Sequence, residues 1–297
     1  MPESPNVVVV GDALIDELRT PDGSREFVGG AGLNVAVGLA VLGVRATLVA
    51  MVGDDADGQR IRGFLAEHDV ALNATTGPFG TSRAVSDRTD GEPRYAFNAA
   101  AMSRRIGFDP AQRDSINAAH LVVVSCFPFD DAEQVAALGA SVAGSSRRLL
   151  IDPNPREAMM HDRHAFVRGF EGVAANALLS KVGDDDAALL YGIPLEALRD
   201  RLLELGGGAV LATAGRQGAS IVTREGVRAD EGIAELPGAI VDTMGGGDAT
   251  LASVVASLLR DGMPDTVAGA HAMLKQAMRV AAMTCRHEGA LLRVPSA

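Results

Sequence analysis

A chain of 297 residues, 47% hydrophobic and 22% charged, has the size and composition to bury an ordinary globular core, which excludes a disordered or fibrous protein. Its 27 basic and 38 acidic residues leave a net charge of −11, the wrong balance for gripping nucleic acid through its phosphates. Two cysteines are too few for a secreted disulfide scaffold, the N-terminus lacks the basic stretch of a signal peptide, and no unbroken apolar run reaches the roughly 20 residues of a membrane span. The expectation is a soluble cytoplasmic protein with neither nucleic acid nor membrane as a partner.

Val7–Val10 reads as a buried strand ending at Gly11-Asp12. Leu33–Leu42 reads as a helix stopped by Gly43. Ala46–Val52 is the next strand, and Gly58–His68 a helix with Ile61, Phe64 and Leu65 on one face. Further strands are expected at Leu121–Ser125, Leu149–Ile151, Val210–Thr213 and Ala219–Val222. Further helices are expected at Ala132–Ala143, Asp184–Tyr191, Leu195–Leu205, Asp248–Leu259 and Ala268–Arg286. This alternation implies a mostly parallel sheet covered on both faces. Asp12–Phe27, with a turn at Pro21-Asp22-Gly23, and Thr81–Asn98, with a turn at Asp90-Gly91-Glu92-Pro93, alternate polar and apolar residues instead. Such strands have one wet face, so they form a small accessory sheet, a lid embedded in a single domain spanning residues 1–297.

The strongest chemical signal is Asp242-Thr243-Met244-Gly245-Gly246-Gly247-Asp248 ahead of an apolar helix. Glycines there let a ligand approach the free N–H groups of the first turn, where the helix dipole favours an anion. Asp248 has a plain reading as a carboxylate stabilising a helix N-terminus. It also has a chemical one, as the acceptor of a proton from an attacking hydroxyl. A second glycine turn, Gly29-Gly30-Ala31-Gly32-Leu33-Asn34, is either tight packing or close approach to a polar ligand. Asp12 and Asp16 follow the first strand, where open α/β sheets bind ligands. The stiff loop Asp152-Pro153-Asn154-Pro155-Arg156 is either a plain turn or a support for an arginine facing an anion or a hydroxyl.

No Walker loop, dinucleotide fingerprint or G-x-S-x-G elbow is present, and the six histidines lack zinc-ligand spacing. His161 and His164 sit in a polar, exposed-looking stretch. Cys126 and Cys285 read as buried small hydrophobes, and Met159, Met160, Met273 and Met278 as core filler.

Taken together, the motifs GGAGLNVAVGLAVLG, MVGDDADGQRIRGFL, DPNPR, KVGDDDAALLYG, TAGRQG and DTMGGGDA, with lid arms around Thr81 and Tyr95-Ala96-Phe97, resemble the ribokinase-like (PfkB) family of sugar kinases, in the family's order and over nearly the whole chain. The resemblance implies a three-layer α/β/α sandwich with a β-strand lid, and ATP-dependent phosphorylation of a sugar hydroxyl. It implies Asp248 as the base and the amides of Gly245, Gly246, Gly247 and Asp248 as the anion hole. Asp12, Asp16, Gly29, Gly30, Asn34, Phe97, Asn154 and Arg156 are then sugar-side positions. Lys181, Asp186, Thr213, Gly215, Gly218, Met278 and Ala281 are nucleotide-side ones. Asp242 with carbonyls of Met244, Thr284, His287 and Gly289 matches a monovalent-cation site, potassium in the members that have one. ATP and Mg2+ are the implied cofactors.

Three departures leave the acceptor open. The family's N-x-x-E is Gly183 and Asp186 here, the second threonine of the late motif is Met244, and Ala101-Met102-Ser103 replaces a tryptophan pattern of some fructokinases. Fructose is favoured. A 2-keto-3-deoxygluconate-type sugar acid or a nucleoside is the alternative, and a sugar-binding protein that has lost turnover is the reading outside enzymes. Exposed lid edges would also allow a homodimer.

Overall fold

The computed structural model describes residues 5–87, 94–143 and 148–294. The lid turn at Asp90-Gly91-Glu92-Pro93 and the side chain of Tyr95 lie outside the described residues. The chain opens with β1 (Asn6–Gly11), whose four valines are all buried, as β-branched residues on a strand covered on both faces should be. Only Asp12 and Ala13 separate it from a hairpin, β2 (Leu14–Thr20) and β3 (Gly23–Gly29). Then come α1 (Ala31–Val41), β4 (Arg45–Met51), α2 (Ala56–Glu67) and β5 (Ala71–Thr75). A second pair, β6 (Ser82–Asp87) and β7 (Arg94–Phe97), leads into the short α3 (Ala99–Met102) and into α4 (Pro110–Ala118).

β8 (Leu121–Ser125), α5 (Ala132–Val142), β9 (Leu149–Asp152), α6 (Arg163–Ala174) and β10 (Leu179–Gly183) follow as alternating strands and helices. α7 (Asp184–Asp186) widens into a π turn ending at Tyr191, so the expected helix there is one irregular segment. The chain finishes with α8 (Leu195–Glu204), β11 (Ala209–Thr213), β12 (Ala219–Thr223), β13 (Arg228–Glu231), α9 (Gly246–Asp261) and α10 (Val267–Thr284).

Nine strands form the main sheet in the order β13-β12-β11-β10-β9-β8-β1-β4-β5. All its pairings are parallel except β11 with β12 and β12 with β13. Val7 and Val9 belong to a core shared with α1, α9 and α10, whereas Val8 and Val10 belong to one shared with α4, α5, α6 and α8. The period-2 alternation of a strand thus produces three layers. The strand order reverses at β1, between β4 and β8, and the crevice beyond those strand ends is where such sheets bind ligands.

The accessory strands form a separate sheet in the order β3-β2-β6-β7, close to the expected spans. Its outer side is tied to α2 by charge. Arg83 of β6 meets Glu26 of β3 and Asp57 of α2, and Arg60 of α2 reaches Glu26 at 2.6 Å. Asp55, the N-cap of α2, also accepts from the Thr81 amide at 2.8 Å, anchoring the start of β6.

Six elements lie outside the sequence expectation: β5, α3, α4, α6, β10 and β13. In α6, Phe166, Phe170 and Val173 are buried at helical spacing, but arginines, a histidine and two glycines mask the pattern. β13 is a charged edge strand in which only Ala229 is buried. α4 carries a full capping box from Asp109 and Gln112 with proline at its start. Cys285 is half-buried rather than buried.

Phe129 stacks edge-on against Phe127, Phe166 and Phe170 and is 1% exposed. Phe129→Ala is expected to cost about 3–5 kcal/mol, read as a lower urea midpoint. An unchanged midpoint would contradict the packing.

Candidate active site

Several helices carry a side-chain N-cap, Asp55, Asp131 and Asp162 among them, but α1 and α9 begin on Gly30 and Gly245 with none. The two glycine starts differ in what they do. At α1, Asp12 consumes the free amides: its carboxylate accepts from Gly32 at 2.9 Å and its carbonyl from Leu33 at 3.0 Å. Gly30 has φ 109°, and a Cβ there would lie 2.9 Å from that same carbonyl oxygen, so only glycine fits. At α9, the Gly246 amide turns to the Thr243 carbonyl at 3.3 Å, while those of Gly245, Gly247 and Asp248 meet no acceptor among the described residues. Gly245 sits at φ 76° with Ala290 packed where a side chain would start. The early turn is therefore a closed joint, and the late one an open anion cradle.

The two are joined directly. Asn34 Nδ2 donates to Asp248 Oδ2 at 2.9 Å, across 214 residues of sequence. Asn34 Oδ1 is buried and meets no hydrogen-bond donor among the described residues, an acceptor left over beside the carboxylate. Asp248 is only 8% exposed, but its surroundings are polar. Burial pushes its carboxyl above the ordinary range, against the Asn34 hydrogen bond and the charges of Lys181 and Arg156. A carboxylate made more basic in this way is a better proton acceptor.

Beneath α9 lies a buried ion pair. Lys181 Nζ is 3.2 Å from Asp152, with the two side chains 8% and 0% exposed. Lys181 also lies against Gly247 of the cradle. Burial opposes its charge, but Asp152, Asp186 and Asp248 outweigh that and hold it protonated. Asp186 folds back to accept from the Gly183 amide at 2.6 Å, and burial raises its carboxyl to about 6. Asp152 escaped the sequence reading as a site residue. Its signal was an acid directly ending a buried strand.

Asp16 projects from β2 against Gly29. Burial, then the charge of Asp12, pushes its carboxyl up to about 7, with Arg156 opposing. Asn154 at φ 37° and Cys126 at φ 53° are non-glycine residues in left-handed conformation just after β9 and β8. Strain of this kind concentrates at functional sites. Phe97 packs with Ala31, Ala101, Cys126 and Met159 into a small apolar floor. Asp12, Asp16, Gly29, Gly30, Asn34, Asp152, Arg156, Lys181, Asp186 and Asp248 thus belong to one interconnected region.

Of the positions expected on a nucleotide side, Gly215 and Gly218 shape the loop after β11, and Thr213 Oγ1 reaches the Val182 carbonyl at 3.4 Å. Met278 is 6% exposed and packs in the core, while Ala281 is half-buried. The Asp242 carboxylate accepts from Met244 at 3.0 Å and Gly289 at 3.3 Å, and the Thr284 carbonyl accepts from His287 at 3.0 Å. Of the five candidate cation positions, Asp242, Met244 and Gly289 are thus joined to one another, and Thr284 and His287 meet in the turn that ends α10. Among the described residues no cluster of three or more His, Cys, Asp or Glu could hold a metal by itself, and no helix is long and apolar enough to cross a membrane. His161 and His164 are exposed, as their polar stretch implied.

The Asp16 shift has a sign that can be checked. Between its ordinary 3.8 and about 7, the folded protein holds a proton that the unfolded chain has lost. This group's contribution to stability therefore falls as pH rises through that window and is least favourable above it. Asp16→Asn is expected to raise the urea midpoint most above about pH 7, with a gain that shrinks toward pH 4. An equal gain at both ends would contradict the assignment.

The family description "pfkB family carbohydrate kinase" matches residues 4–297. A fructokinase of Salmonella typhimurium is 27% identical over 304 residues, covering 97% of this chain and 96% of its own. An acarbose 7(IV)-phosphotransferase of Actinoplanes sp. is 29% identical, covering 99% of each. Among solved structures, a Vibrio cholerae O395 fructokinase double mutant bound to fructose, ADP and potassium superposes with a TM-score of 0.78 at 20% identity, covering 97% of this chain and 94% of that one. With the nine-stranded sheet, the four-stranded lid and a match along almost its full length, this chain belongs to the pfkB family of ATP-dependent carbohydrate kinases and has the ribokinase-like fold.

Proposed function

We propose that the chain transfers the γ-phosphate of ATP to a hydroxyl of a sugar, with Asp248 as the general base and the open amides at the start of α9 as the anion hole. The observation that supports this best is the Asn34–Asp248 hydrogen bond. It sets a carboxylate with raised proton affinity at the mouth of a helix where the Gly245, Gly247 and Asp248 amides meet no acceptor among the described residues. In the transfer, the acceptor oxygen attacks the γ-phosphorus while its proton passes to Asp248 Oδ1 or Oδ2. The Gly247 and Asp248 amides then face the charge on the phosphoryl oxygens. Positioning and charge neutralisation carry most of such a reaction.

Asp12, Asp16 and Asn34 would take sugar hydroxyls, and a ketohexose frame such as fructose is favoured by the names of the relatives at 27% identity. Lys181 would neutralise phosphate charge from below the cradle. Magnesium bound with ATP would offset phosphate charge, and Asp186 fits it: one carboxylate oxygen is spent on Gly183, leaving a hard oxygen donor for its water shell. Asp242, with carbonyls of Met244, Thr284, His287 and Gly289, would hold a monovalent cation such as potassium, and the approach of the Met244 and Gly289 backbone to the Asp242 carboxylate supports that placement.

Asp248→Asn is expected to lower kcat by about 10²–10⁴-fold while ATP binding survives. Turnover near wild type would remove Asp248 from the role of base. With the small sheet closing over the sugar, ATP hydrolysis without any acceptor should be slow. Coupled-assay ATPase rates as fast as the sugar-stimulated rate would contradict the reading.

A further inference from the structure

We propose that the acceptor carries an anionic group, a carboxylate or a phosphate, bound by Arg104 and Arg105 beside Asp12. This rests on the kinase reading above and specifies its substrate class. A recess at the crevice between the ends of β1 and β8 is lined by Gly11, Asp12, Cys126 and Phe127, and by Arg104 and Arg105 from the segment after α3. Arg104 is half-buried, and its Nε is buried with no partner among the described residues. Its one contact is from Nη1 to the Met159 carbonyl at 3.5 Å, too long for a good hydrogen bond.

Elsewhere, Arg83, Arg199 and Arg201 each find a carboxylate. Neither Arg104 nor Arg105, nor Arg156 at the opening of the adjacent loop, forms an ion pair among the described residues. A guanidinium offers five donors in a planar fork and accepts nothing. A sugar hydroxyl answers one of those donors and leaves the others bare, whereas a carboxylate or phosphate answers two at once. The carboxylate of Asp12 is already held by Gly32, so it does not fill the fork. The apolar floor of Ala31, Ala101, Cys126 and Met159 nearby excludes water and strengthens the attraction.

The test measures ATP consumption by the full-length protein with fructose, 2-keto-3-deoxygluconate and fructose 6-phosphate. One of the two anions is expected to give a kcat/KM at least about tenfold above that of fructose, and whichever responds identifies carboxylate or phosphate as the bound group. Arg104→Gln should raise KM for that anion about 10–100-fold and leave KM for ATP unchanged. Arg105→Gln, at an exposed position, should shift the same KM without any question of misfolding. Fructose as the best acceptor, or both variants with an unchanged KM for the anion, would overturn the inference and leave the kinase reading standing. No ATP use with any of the three, or with a nucleoside, would overturn both.

Discussion

One hydrogen bond, 2.9 Å from the Asn34 amide to the Asp248 carboxylate, holds the two ends of the chain's chemistry together. It connects the first turns of α1 and α9, which pack side by side over one face of the sheet. A buried carboxylate without such a donor would pay its full desolvation cost and stay protonated. With it, the carboxylate is oriented and its neighbour's carbonyl oxygen is left pointing at whatever binds. Each helix starts on glycine for a reason of its own: Asp12 and Ala13 crowd Gly30, and Ala290 crowds Gly245.

The region around that bond concentrates like charge. Asp12, Asp16, Asp152, Asp186 and Asp248 are held close by the fold, with Lys181 and Arg156 as the cations that oppose them. A buried arrangement of this kind stabilises the fold poorly, because desolvation offsets most of the Coulomb gain. Its persistence is better explained by what it prepares: a place where the phosphates and metal of a nucleotide alter the balance. The free amides of α9 contribute partial positive charge without any counterion, which suits them to a highly charged ligand.

Much of this was legible in the residue order. The alternation of buried strands and amphipathic helices specified the layers, and the two one-sided segments specified the small sheet, because periodicity is a local property. The glycine motifs pointed to both halves of the candidate site for a similar reason: each needs a conformation that its own residues reveal. What stayed hidden was relational. Nothing near Lys181 announces that its partner is Asp152, since strand order decides it. Nothing in Arg104-Arg105 distinguishes them from surface arginines until the end of β8 is placed beside them. The same holds for α6 and β13, whose charged outer faces outweigh a few buried residues in any pattern count. The two glycine starts also look equivalent in sequence, and only the placement of Asp12 separates the sealed one from the open one.

The connection between the large and small sheets is two residues long, Asp12 and Ala13. Asp12 is bolted to the base of α1, while Asp16 lies four positions further out on β2. The hairpin is therefore tethered at the candidate acceptor site by a joint too short to bend far. At its far arm Arg25 grips Glu288 beside the Gly289 turn at 2.9 Å. Held at both ends, the hairpin couples the spacing of the Asp12 and Asp16 carboxylates to the position of the Gly289 turn.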